Sequence, residues 1–124
     1  MKTIAISFSL RGQQLEDIYP FLKDINESAG PCLLIHGNLP RKEVIKRGLP
    51  TDMIDMLDEL FPIQLNFWDQ KVLREEMGNY AKTLGAEVYI IGDVKDGVKD
   101  EENIYKSKGL PIKYLDLSAQ SLVH

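Results

Sequence analysis

Residues 85–117, GAEVYIIGDVKDGVKDEENIYKSKGLPIKYLDL, read as an apolar strand, a charged loop with glycines, a short helix and a second apolar strand. This order is typical of a βαβ unit, in which a helix connects two parallel strands. In open α/β sheets, ligands bind in the crevice outside the carboxyl ends of the strands. We therefore expect the segment from Gly92 to Glu102 to form part of any ligand site.

Strand-like and helix-like patterns also alternate along the rest of the chain. Apolar and β-branched segments at 3–8, 32–35 and 63–67 precede segments with apolar residues at helical spacing. This alternation predicts a mostly parallel sheet with helices on both faces. We expect one α/β domain over residues 1–124, a Rossmann-like three-layer domain with four or five strands. Pro20 lies inside the first helical pattern, so we also expect a kink or break near Tyr19.

Composition excludes several classes of function. The chain has 15 Lys and Arg residues and 19 Asp and Glu residues, which gives a net charge of −4. This negative charge argues against binding to an extended stretch of nucleic-acid backbone. The single cysteine excludes an internal disulfide, so we expect a reduced, cytoplasmic compartment. The two histidines are far apart and do not have the spacing of metal ligands, so we expect no metal. We also expect no cofactor. Apolar runs are too short for a signal peptide or a membrane span.

The loop and helix of residues 92–107 hold the main candidate site. Asp96-Gly97 is a turn pair, and the following pattern predicts a helix over 98–107 with Glu101 in its first turn. A carboxylate there can accept hydrogen bonds from a ribose diol or act as a nucleophile at an anomeric carbon. The alternative is an ordinary solvated acidic run that the helix dipole favours. The candidate ligand-binding residues of this loop are Gly92, Asp93, Asp96 and Gly97.

The ends of the other predicted strands add further candidates. Four candidates lie at the end of the first strand or just after it: Ser7, Ser9, Arg11 and Gly12. The serine hydroxyls and the arginine guanidinium can bind a phosphate or carboxylate, and the glycine lets such a group approach the backbone. A simple N-cap and turn is the alternative for this loop. Gly37 and Asn38 follow the second strand, and Trp68 follows the third, where its ring either stacks on a base or anchors a helix to the sheet.

Two short motifs resemble a known family. Asp96–Glu101, DGVKDE, followed by Gly109–Ile112, GLPI, resembles the D-G-T-x-x-E and G-x-P-[VI] of nucleoside 2-deoxyribosyltransferase-like proteins, and is similar to SLOG-type Rossmannoid nucleotide-binding domains. The resemblance covers about a quarter of the chain, and Val98 replaces the Thr of the family. It implies that Glu101 is the nucleophile that takes the deoxyribosyl group from a nucleoside.

Two hypotheses for function follow from the sequence. The first is binding of a nucleoside, a nucleotide or a related phosphorylated ribose, and if the protein is an enzyme, the reaction is cleavage or transfer at the N-glycosidic bond. The second is a non-catalytic interaction or regulatory domain, as a homo-oligomer through residues 51–61 or the C-terminal tail, because a fold alone does not specify a function.

Overall fold

The computed structural model describes residues 1–9, 14–68, 71–95 and 97–116. This part of the chain holds five strands and five helices, and a helical segment connects each strand to the next, with two helices between the second and third strands. The strands are β1 (Lys2–Phe8), β2 (Cys32–His36), β3 (Gln64–Asn66), β4 (Glu87–Ile91) and β5 (Ile112–Leu115). The helices are α1 (Leu15–Ala29), α2 (Arg41–Lys46), α3 (Asp52–Leu60), α4 (Lys71–Thr83) and α5 (Gly97–Ser107). No helix in the described ranges has both the length and the apolar character needed to cross a membrane.

The five strands form one parallel sheet in the order β3-β2-β1-β4-β5. This confirms the prediction of an α/β Rossmann-like fold. The strand order reverses between β1 and β4, so the helices that follow these strands lie on opposite faces of the sheet. That reversal opens a crevice at the carboxyl edge, which is the usual place for a ligand in such sheets.

Side-chain alternation along β1 divides the interior into two cores. Ile4, Ile6 and Phe8 belong to a core shared with α1 and α3. Ala5 belongs to the second core, which includes residues of α4 and α5. Successive side chains of a strand point to opposite faces, so Ser7 lies on the same face as Ala5. The polar residue at the end of the central strand therefore faces the layer of α4 and α5.

Of the predicted kink or break near Tyr19, the break is absent, because α1 continues from Leu15 to Ala29 with Pro20 inside it. Proline removes one backbone hydrogen bond of a helix. The apolar stripe of Ile18, Leu22 and Ile25 is buried along the whole helix. We attribute the continuity of the helix to this burial, since burying one such side chain contributes about 1.5–3 kcal/mol.

The close packing of α4 against α5 places the candidate loop. A Cβ atom on Gly78 of α4 would lie 2.5 Å from Cγ2 of Ile104 on α5, which is closer than side chains tolerate. Glycine at this position therefore allows the short distance between the two helices. The helix α5 begins at Gly97, one residue earlier than expected, and Glu101 is its fifth residue. Glu101 therefore lies one residue beyond the first turn, in which it was predicted, and Asp100 is the acidic residue of that turn.

Candidate functional site

A cavity of about 140 Å³ opens at the carboxyl edge of the sheet. It is bounded by residues that follow β1, β2 and β3, by one residue of α4 and by the start of α5. The residues that line it are Phe8, Ser9, Gly37, Asn38, Phe67, Arg74, Gly97, Val98 and Glu101. Five of the predicted site residues, from two separate loops and one helix, are therefore brought together at one place.

The Glu101 carboxyl is the central polar group of this cavity. A Cβ atom on Gly37 would lie 2.6 Å from Glu101 Oε1, so the absence of a side chain at Gly37 allows the carboxyl to approach the backbone. Burial raises the pKa of Glu101 to about 7, against the lowering effects of the Ser7 hydroxyl and the Arg74 guanidinium, while Asp100 adds to the rise. Both the protonated and the ionised forms are therefore populated near neutral pH, as a group in acid–base catalysis requires.

Three buried polar atoms near this site have no hydrogen-bond partner among the described residues: Ser7 Oγ, Tyr105 Oη and Asn38 Nδ2. Ser7 is 2% exposed and Tyr105 is fully buried. The Ser7 hydroxyl is close enough to lower the pKa of Glu101, but it does not meet the geometry of a hydrogen bond. Tyr105 follows Glu101 by one turn of α5, and burial together with the Glu101 charge raises its pKa. Unsatisfied buried groups are uncommon in native proteins and often mark a binding or catalytic role.

Arg74 brings a guanidinium to the cavity from α4. Its Nη1 donates to Asp100 Oδ2 at 2.9 Å, and its Nη2 is 3.6 Å from the position of a Cβ atom on Gly97. Sequence reasoning did not find this residue, because Arg74 is one of many charged residues on a helix and 27 positions separate it from Glu101. Its role depends on how α4 packs against α5.

The loop after β2 is held by two side chains, His36 at the end of β2 and Asn66 at the end of β3. The Asn38 N–H donates to Nδ1 of His36 at 3.3 Å, and Asn66 Nδ2 donates to the Asn38 carbonyl at 2.9 Å. His36 Nε2 lies 2.7 Å from Gln64 Oε1, while Gln64 Nε2 donates to Phe61 O. His36 Nδ1 is thus the acceptor and Nε2–H the donor. Burial lowers the pKa of His36, which favours this neutral form.

Four of the predicted residues that the structure describes do not line the cavity: Ser7, Trp68, Gly92 and Asp93. The Trp68 ring lies 5.4 Å from the guanidinium carbon of Arg47, and Trp68 is not among the residues that line the cavity. Gly92 takes a positive φ of 77° at the end of β4, and Asp93 pairs with Lys95 at 3.6 Å. Ser7 contacts the site through Glu101 without lining it. The predicted residues Arg11, Gly12 and Asp96 lie outside the described residues.

A larger hollow of about 460 Å³ lies between the start of α1, α2 and α3. Its lining is mainly apolar, with Leu15, Leu39, Val44, Leu49, Pro50 and Met53. Convergent polar groups and perturbed pKa values identify a functional site better than volume alone. We therefore take the smaller, polar cavity as the candidate site. Among the described residues, no group of three or more His, Cys, Asp or Glu is placed to hold a metal ion.

Comparison of the chain with protein-family models, with curated proteins and with solved structures finds no match. The function must therefore be inferred from the chemistry of the cavity and from the residues that carry the resemblance.

Proposed function

We propose that the cavity at the carboxyl edge binds a nucleoside, a nucleotide or a related phosphorylated ribose. The observation that supports this most directly is the Glu101 carboxyl, which lies against the Gly37 backbone at the edge where the strand order reverses. A carboxylate at such an edge can bind the hydroxyls of a sugar.

The size of the cavity limits which part of the ligand it can hold. Pockets for whole small-molecule ligands usually measure about 300–1,000 Å³, whereas this one measures about 140 Å³. A single sugar ring or a phosphate group is the appropriate size. The remainder of a nucleotide would extend from the cavity into the crevice above β1 and β4.

We further propose, from the resemblance, that the reaction occurs at the N-glycosidic bond. An ionised Glu101 oxygen forms a bond to the anomeric carbon, the bond from that carbon to the base nitrogen breaks, and the base leaves with the electron pair and takes a proton from water. Water or a second base then bonds to the same carbon and releases Glu101. A pKa of about 7 for Glu101 leaves much of the carboxyl ionised at neutral pH for the first step.

The test is thermal unfolding of the protein with separate additions of adenosine, AMP, ribose 5-phosphate and deoxynucleosides. A ligand at 100 times its Kd adds about 2.7 kcal/mol to the free energy of unfolding. We expect one ligand class to raise the unfolding temperature, and we expect turnover of a bound nucleoside to be lost in Glu101→Gln. The control is Glu76→Gln, which removes the same charge from an exposed position on α4.

Two results would contradict the proposal. If Glu101→Gln binds and turns over the nucleoside as the original protein does, the role of Glu101 is wrong. If no member of the panel shifts the unfolding temperature, the non-catalytic interaction hypothesis becomes the better one. The next measurement would then be the oligomeric state by analytical ultracentrifugation.

A further inference from the structure

The side-chain amide of Asn38 is a hydrogen-bond donor that no described residue uses. Its Nδ2 atom is buried and has no partner among the described residues, and Asn38 lines the cavity beside Glu101. Both backbone polar atoms of Asn38 are satisfied, since the N–H donates to His36 and the carbonyl accepts from Asn66. The unused donor therefore belongs to the side chain alone.

The two backbone contacts also fix the backbone from which this donor projects. His36 is 4% exposed and is itself bonded to Gln64, so the acceptor for the Asn38 N–H is held in one orientation. Asn66 is held in the same way, because its Oδ1 accepts from the Trp68 N–H at 2.9 Å. A donor that is positioned before the ligand arrives loses little conformational entropy on binding.

A structural role does not explain this side chain. A buried donor without a partner destabilises the folded protein relative to a satisfied one. Natural proteins retain such groups mainly at functional sites, where stability is lost in exchange for binding. The guanidinium of Arg74, which can only donate hydrogen bonds, lines the same cavity.

We propose that Asn38 is the residue that determines ligand specificity in this cavity, by donating a hydrogen bond to a ligand oxygen that carries no hydrogen. Within the proposed ligand class, a phosphate oxygen and a base carbonyl both meet this requirement. The inference rests on the proposed function, and it adds the identity of the ligand group that the cavity selects. His36 and Asn66 act as positioning residues.

The test compares Asn38→Ala and Asn38→Asp with Asn66→Ala. Affinities for ribose 5-phosphate and for uridine are measured by calorimetry, and stability is measured by urea denaturation without ligand. We expect both Asn38 variants to lose about tenfold or more in affinity for one probe, since the loss of a single hydrogen bond from a buried donor lowers affinity by about that factor. We expect the denaturation midpoint of Asn38→Ala to equal or exceed that of the original protein.

The control Asn66→Ala should behave differently. It removes the hydrogen bond to the Asn38 carbonyl and the acceptor of the Trp68 N–H, so it should lower the denaturation midpoint as well as the affinity. A loss confined to ribose 5-phosphate in the Asn38 variants assigns the donor to a phosphate oxygen. A loss confined to uridine assigns it to a base carbonyl.

The outcomes separate this inference from the proposed function. If Asn38→Ala binds both probes normally while Glu101→Gln does not, the function stands and the role of Asn38 is wrong. If Asn38→Ala lowers the midpoint as much as Asn66→Ala does, the side chain is structural and the inference is overturned. If the original protein binds neither probe, both the proposed function and this role of Asn38 are rejected.

Discussion

Replacing Glu101 by glutamine should change the pH dependence of stability in a defined direction. The pKa of this carboxyl rises from 4.5 to about 7 on folding, mainly through burial. The folded protein therefore binds the proton more tightly than the unfolded chain. Its contribution to the free energy of unfolding is complete below pH 4.5 and is lost as the pH rises through 7.

The size of this effect follows from the two pKa values. Each pKa unit corresponds to about 1.36 kcal/mol, so a rise from 4.5 to about 7 corresponds to about 3 kcal/mol. Glu101 borders the cavity, and partial access of water reduces the figure, so we expect roughly 2–3 kcal/mol. For a chain of 124 residues this is a difference in unfolding temperature of about 10 °C.

The assay is urea denaturation of the original protein and of Glu101→Gln, without ligand, between pH 4 and pH 8.5. The two free energies of unfolding should differ little at pH 4. At pH 8.5 the variant should be the more stable by roughly 2–3 kcal/mol, because the original protein must bury an ionised carboxylate and the variant buries a neutral amide instead. A difference that does not vary with pH, or a variant that is less stable at pH 8.5, would refute the reasoning.

The neighbouring residue Glu102 provides a matched control with the opposite sign. Its carboxylate accepts from Tyr114 Oη at 2.7 Å and pairs with Lys99 at 3.0 Å, and these contacts lower its pKa. Its contribution to stability is present above its ordinary pKa and is lost as the pH falls. The variant Glu102→Gln should thus be less stable than the original protein at neutral pH, and the two should converge in acid.

Three further predictions concern packing and the polar groups near the site. Gly78→Ala should lower the free energy of unfolding by about 1–3 kcal/mol, because the new methyl group would clash with Cγ2 of Ile104. Adding Ile104→Ala should restore part of the lost stability, and thermal unfolding measures both effects. His36→Asn keeps an acceptor at the δ position for the hydrogen bond from the Asn38 N–H, whereas His36→Gln does not. Hydrogen exchange of the Asn38 backbone amide should therefore be faster than in the original protein only in the glutamine variant. Tyr105→Phe should raise the free energy of unfolding by about 1 kcal/mol, measured by urea denaturation without ligand, and a decrease would mean that the hydroxyl has a partner such as bound water.

The sequence was sufficient to predict the architecture. Apolar strands at 3–8, 32–35 and 63–67 alternate with helical patterns, and this alternation requires parallel strands with crossover helices. All parallel strands end at the same edge, so Ser9, Gly37 and Glu101 could be expected near one another, and they do lie at one cavity or beside its entrance. Their functional roles remain predictions.

The sequence was less informative where side-chain direction or helix contacts matter. Trp68 follows a strand as the ligand-binding hypothesis required, but its ring packs with Arg47 instead of facing the cavity. Arg74 was not found, because nothing in a charged helical pattern shows which residue faces α5. Pro20 was expected to kink or break α1, but the helix is continuous, because the burial of three apolar side chains on it outweighs the lost hydrogen bond.

The sequence by itself thus determined the fold class, the edge of the sheet at which a site lies, and the residue types available there. These properties depend on periodicity and on the order of strands and helices, which are local along the chain. Only the tertiary structure decided that Glu101 lies against Gly37, that Arg74 joins them, and that Asn38 retains a donor without a partner in the described part of the chain. These features arise where residues distant in sequence are packed together, and the burial that shifts a pKa or leaves a donor without a partner exists only after that packing has formed.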